Sequence, residues 1–388
     1  MRRLTLAVLL LVGLASALGA AGRKPVPELP QAQLEELTQY LQQHWTTPED
    51  YVISKFRDHD VVFLGERHKI RHDTVLVQDL IPRLYAAGVY NLGIEFGANE
   101  FQDRVDRLIN AENYDEDLAR WLMFHHYVMW GFQEYMDLYR AAWKLNRSLP
   151  AGAPRFRVVN LNYTPRWELM KETMTLEDRR AVWYCGEADE FMGNVILREF
   201  VDRGQKALIY SGSHHAFTRY HQPVYDVEQQ EVIRFIDNRM GNIVYNRIGD
   251  RAFNIVLHYP WPTPDYEAEN YPIGGAIDRV MMGFQDTRVG FDVRGTPFGQ
   301  LRDTDTLYAQ GYPDFKLEDF CDGYIFQRHF RDCEGATVDP QFITESNFQE
   351  AVAGIPNLET RNSIRQPSDL IESMNNAVNM QRQLREFE

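Results

Sequence analysis

Three apolar runs in this chain end on residues able to do acid–base or ligand chemistry, and that pattern narrows the folds open to it. Asp60-Val61-Val62-Phe63-Leu64 leads into Gly65-Glu66-Arg67-His68, and Ala207-Leu208-Ile209-Tyr210 leads into Ser211-Gly212-Ser213-His214-His215. Both runs read as β-strands finishing in G-x-x-H. A third, Leu92-Gly93-Ile94, ends in Glu95-Phe96-Gly97. In open α/β sheets the carboxyl ends of the strands share one edge, where ligands bind. Two imidazoles and a carboxylate from distant parts of the chain can therefore converge.

The segments between these runs suit a largely parallel sheet. Val75, Val77, Leu80, Ile81 and Leu84 fall on one face of a predicted helix closed by Gly88, so the first two strands form a strand–helix–strand unit. The aromatic-rich stretch from Phe101 to Leu149 breaks the rhythm and is expected to form two or three helices covering the site edge. Arg157 to Asn162 reads as another strand, a helix is expected over Glu187 to Asp202, and Ala252 to His258 reads as a further strand. After Tyr259 come proline-punctuated loops, short elements such as Val289 to Val293, and a last helix from about Pro367 to Phe387.

At the amino end, Arg2 and Arg3 precede an apolar stretch from Leu4 to Leu18 and the small residues Gly19, Ala20 and Ala21. This is the pattern of a cleaved signal peptide. The expected organisation is a signal peptide over 1–21, an α/β domain over 22–265 with its helical insertion at about 101–149, and a carboxyl-terminal extension over 266–388. The mature protein is expected to be periplasmic or extracellular, with no membrane-spanning segment. A formal charge of −15 disfavours nucleic acid as a partner. Of the three cysteines, Cys321 and Cys333 are close enough in sequence to close a small disulfide loop or to stay free, whereas Cys185 reads as a buried thiol.

Imidazole can take a proton from water near neutral pH or ligate a metal, and a carboxylate can orient either group. Glu66, His68, Glu95 and His215 make the primary constellation. His68, His215 and Glu95 are also the donors for a divalent metal such as Mn, Co or Zn. Gly65 and Gly212 are expected to turn the backbone sharply at the strand ends. His72 is a secondary candidate if residues 67–73 are helical. His214 is another, although the G-x-x-H count favours His215. His125 and His126 read as packing residues with a cap contact to substrate as the alternative, and His258 is a minor candidate. G-x-S-x-G and H-E-x-x-H motifs are absent.

The three strand-end motifs together resemble the erythromycin esterase, ChaN and Tiki/TraB superfamily. Asp189-Glu190-Phe191-Met192-Gly193 is similar to that group's R-D-x-x-M-A helix, with Ala188 in place of the arginine and Gly193 in place of the alanine. The resemblance spans roughly residues 55–260. It implies functional roles for Glu66, His68, Glu95 and His215, on an α/β fold with a mostly parallel central sheet flanked by helices. The expected activity is hydrolysis of an ester, lactone or peptide bond in a small-molecule or peptide substrate. The alternative implied by ChaN-like members is haem or iron binding without catalysis.

Overall fold

The computed structural model describes residues 23–285 and 287–387. The expected signal peptide lies outside them. The strands are β1 (Val61–Glu66), β2 (Asn91–Ala98), β3 (Arg157–Asn162), β4 (Ala207–Gly212), β5 (Gln222–Asp226), β6 (Glu231–Ile236), β7 (Ala252–Leu257), β8 (Trp261–Pro262), β9 (Glu269–Asn270), β10 (Val289–Asp292) and β11 (Gly323–Phe326). Seven of them form one mixed sheet in the order β10-β11-β7-β1-β4-β2-β3. Every pairing in it is parallel except β10 with β11. The other four strands make two small antiparallel hairpins.

The two-residue period of a strand explains why β1 and β4 are apolar throughout. Val62, Leu64, Leu208 and Tyr210 enter the core on one face of the sheet, while Val61, Phe63, Ala207 and Ile209 enter the core on the other. Against the first face lies helix Arg71–Ala86, with the cap helices Gln102–Asn110, Glu116–His126 and Gln133–Ser148 and much of the carboxyl-terminal region, including Phe342, Phe348, Leu370 and Met374. Helices Ala188–Glu199 and Met240–Ile248 cover the second face. Burial on both faces leaves function to the strand ends.

The segment beyond residue 266 supplies β10 and β11 to the central sheet. It also bridges back to the site region, pairing Gly335 with Ile70 and Val338 with Phe132. The expected last helix is split into Pro367–Ala377 and Met380–Gln383. Of the two outcomes open to Cys321 and Cys333 the structure takes the free one, and the reading of Cys185 needs correction. Cys321 and Cys333 are free thiols buried in different core clusters, and Cys185 is exposed. Sequence proximity of the first pair says nothing about which core cluster each side chain enters. The Cys185 neighbours Trp183 and Tyr184 pack on Trp167 and Tyr163 while leaving the thiol at the surface.

No helix among the described residues is long and apolar enough to cross a membrane.

Candidate active site

β1, β2 and β4 are adjacent in the sheet and parallel, so the residues that end them meet at one edge. Glu66 pairs in register with Gly212, and the Ser213 N–H donates to the Glu66 carbonyl at 2.9 Å. The two sequence motifs are thereby bonded directly to each other.

The Glu66 side chain is sealed from solvent, whereas that of His68 is 39% exposed. Glu66 Oε1 accepts from His68 Nδ1 at 3.0 Å and from the Tyr135 hydroxyl at 2.7 Å, and Oε2 accepts from the Tyr210 hydroxyl. Burial raises the Glu66 pKa, opposed by hydrogen bonds from His68, Tyr210 and Tyr135. Tyr135 also accepts the Lys69 backbone N–H at 2.8 Å, and Lys69 sits at φ +74°, a left-handed conformation unusual for a side-chain-bearing residue. One tyrosine thus holds both the carboxylate and the turn that presents the imidazole. The His68 ring stands edge-on to Trp130 and Phe96, with centroids 5.2 and 5.5 Å away.

With Nδ1 committed to Glu66, His68 Nε2 is left facing β4. A Cβ added to Gly212 would lie 2.5 Å from His68 Cε1 and 2.8 Å from Nε2. Gly65 would place a Cβ 3.0 Å from the Ser213 Cα. Neither glycine has positive φ, and both lie inside strands. Their role is close approach, which corrects the expectation of a sharp turn. Gly212→Ala should therefore push the His68 ring out of place while removing no ionisable group. The expected loss in kcat/KM is about 10²-fold, since small misplacements of a reacting group carry costs of that order. A variant with wild-type kinetics would show that the ring position is immaterial.

His215 is gripped from both sides. Its Nδ1 lies 2.7 Å from Asp189 Oδ1 and its Nε2 lies 3.3 Å from Glu95 Oε1. Burial alone would lower its pKa, but the two carboxylates outweigh that and raise it to about 10. Glu95 responds in the opposite sense. Burial raises its pKa, yet His215, His68 and the Gly212 N–H, which donates at 2.7 Å, bring it to about 2. Asp189 also accepts from Arg239 Nη1 at 2.9 Å and from the Met240 N–H at 2.9 Å, and its pKa is held far below the usual carboxylate range. Asp189 thus takes its arginine partner from a residue fifty positions on. Sequence reading had no signal for Arg239, because nothing local ties it to Asp189. Tyr135 and Tyr210 also escaped notice, for the same reason.

The secondary candidates lie elsewhere. Residues 67–70 form a turn, so His72 does not share a face with His68. It sits 3.6 Å from Asp73, and burial with nearby Arg328 and Arg288 lowers its pKa to about 3. His214 turns from His215 toward the Tyr308 hydroxyl at 2.8 Å, and burial lowers its pKa to about 3. His258 is buried between Asp278 and Tyr324. His125 stacks on Trp121.

A metal fits this arrangement poorly. Among the described residues no group of three or more His, Cys, Asp or Glu side chains is placed to hold one. Both His215 nitrogens already face carboxylates, which makes the ring a donor of protons and not of lone pairs.

Residues 52–166 match the family model described as haem-binding uptake, Tiki superfamily, ChaN. No curated protein matches the sequence significantly. Among solved structures, a succinoglycan biosynthesis protein aligns over 80% of this chain and 100% of its own, at 9% identity and a TM-score of 0.52. A variant of the erythromycin esterase EreC in its open conformation aligns over 81% and 98%, at 9% identity and a TM-score of 0.50. ChaN of Campylobacter jejuni, solved with cofacial haem, aligns over 55% and 87%, at 13% identity and a TM-score of 0.31. The first two likenesses show that the fold is shared.

Proposed function

We propose that this chain, which resembles the ChaN/Tiki superfamily over residues 52–166 and shares its fold with an erythromycin esterase, is a hydrolase that activates water with His68. The observation that carries the reading is the Glu66–His68 contact. A buried carboxylate on Nδ1 fixes the tautomer and leaves the Nε2 lone pair at the open edge beside Glu95. A water hydrogen-bonded to His68 Nε2 and Glu95 gives its proton to His68 as its oxygen attacks a carbonyl carbon. The imidazolium then returns that proton to the leaving alkoxide as the tetrahedral adduct collapses. His215, charged across the neutral range, provides positive potential for the developing oxyanion. No step uses a metal.

An ester, lactone or peptide carbonyl meets these requirements, and activated esters are the first substrates to screen. Turnover of 4-nitrophenyl esters that survives EDTA supports the reading. No turnover of any ester, lactone or peptide overturns it.

The family-model match favours haem binding as the second reading. The residues fit it less well. His68 keeps an Nε2 lone pair that could ligate iron, but burial raises the Tyr127 hydroxyl to about 12, so it stays protonated and offers no anionic second ligand. A Soret band shift at stoichiometric haem, with no ester turnover, would replace the hydrolase reading with this one. Export through the Arg2–Ala21 leader belongs to either reading, and an intact Met1 on the protein recovered from cells would overturn it.

A further inference from the structure

A cleft of about 500 Å³ opens beyond the carboxyl ends of β2 and β3, walled by the end of the Glu116–His126 helix and the segment 164–168, with Glu350 to Gly354 on the far side. Its aromatic lining includes Phe101, Phe124, Tyr127 and Trp167. β2 carries Glu95, and the turn that follows it carries the cleft residues Glu100 and Phe101, so the cleft adjoins the candidate site.

His126 belongs to both. It lines the cleft and lies within electrostatic reach of Glu95 and His68. Its Nδ1 is buried with no hydrogen-bond partner among the described residues. A buried polar atom without a partner is costly, so such an atom beside a cleft is suited to a ligand that completes it. His126 ends a helix, where the dipole favours a charged imidazole, yet burial prevails and lowers its pKa to about 4. At neutral pH it is an uncharged group able to donate or accept.

The charges of the cleft are unequal. Glu100, Glu168 and Glu350 line it. Against them stand Arg166, whose guanidinium lies 4.6 Å over the Tyr184 ring, and His125, 3.4 Å from Glu350. An anionic ligand would meet net repulsion there.

We propose that this cleft binds the bulky apolar part of an uncharged ester or amide, and that His126 is a substrate-binding residue whose imidazole hydrogen-bonds the ligand beside the scissile carbonyl. The hydrolytic role rests on the reading above, whereas binding does not. The test is quenching of tryptophan fluorescence by 4-nitrohexananilide, an amide analogue of 4-nitrophenyl hexanoate, in wild-type protein, His126→Ala and His126→Asn, each checked by thermal melt. Binding to the wild type should weaken about tenfold in His126→Ala and recover in His126→Asn, which keeps a hydrogen-bonding group. An analogue bearing a terminal carboxylate should bind at least tenfold more weakly than the hexananilide. No binding to the wild type, equal binding by His126→Ala, or equal binding of the anionic analogue would overturn the proposal. The expected binding without turnover of any ester, lactone or peptide would leave the cleft assignment standing and remove the hydrolase reading alone.

Discussion

His68→Ala should reduce kcat/KM for an activated ester by about 10³-fold while leaving the protein folded. General-base catalysis by a positioned imidazole contributes about 10²–10⁴, and no other group at this edge can replace it. His215 is already protonated at neutral pH, Glu95 has a pKa of about 2 and is a weak base, and His126 is neutral but has a pKa of about 4. Loss of the ring should cost little stability, because 39% of it faces solvent and its one bonded partner, Glu66, keeps two tyrosine hydroxyls. The measurement is a pair of progress curves at neutral pH with a thermal melt. Activity within threefold of wild type would remove His68 from the mechanism. A collapse of the melting transition would show that the residue is structural.

Asp189→Asn should act through His215 and be visible in pH profiles. Asp189 and Glu95 together raise His215 to about 10, against burial that lowers it. Removing one carboxylate should bring the His215 pKa down, so that the alkaline limb of kcat/KM moves toward neutrality. The loss near pH 9 should be about 10²-fold, the scale of losing a group that stabilises an oxyanion. The sign in the stability profile follows from linkage. A histidine raised above its unfolded value of about 6.5 contributes stability fully below that pH and loses it as pH rises through about 10. Glu95, lowered to about 2, contributes above its unfolded value and loses that contribution as pH falls through about 2. Wild-type stability should therefore decline between about pH 6.5 and 10, and Asp189→Asn should be flatter over that window because less remains to be lost. An unchanged alkaline limb in the variant would mean that His215 charge does not govern the reaction.

These two residues differ in how far the sequence exposes them. His68 stands out because the signal is local: an apolar strand, a glycine, and an imidazole three positions on. The same local signal marks His215, and Glu95 is marked by ending an apolar strand. Asp189 is visible only as a motif fragment, and its dependence on Arg239 is invisible, because an ion pair closed across fifty residues leaves no periodicity. Tyr135 and Tyr210 look like core aromatics in the sequence, and they are; that their hydroxyls converge on Glu66 depends on how the cap helix docks. His126 reads as packing for a similar reason, since its unpaired nitrogen matters only once the cleft is formed.

The sequence by itself determined the parallel strands β1, β2, β3, β4 and β7, the largely parallel sheet they form and the edge their carboxyl ends share, but not β11 or the two hairpins. Buried strands need unbroken apolar runs, and parallel order requires long crossovers between them, so both leave marks along the chain. Only the tertiary structure decided which carboxylates each imidazole meets. His68 meets one buried carboxylate shared with two tyrosines, while His215 is clamped between two ionised ones. The tertiary structure also decided that Cys321 and Cys333 stand apart and that His72 leaves the site. Each of these outcomes follows from distances between residues remote in sequence, and electrostatic energy depends on those distances and on how deeply the groups are buried.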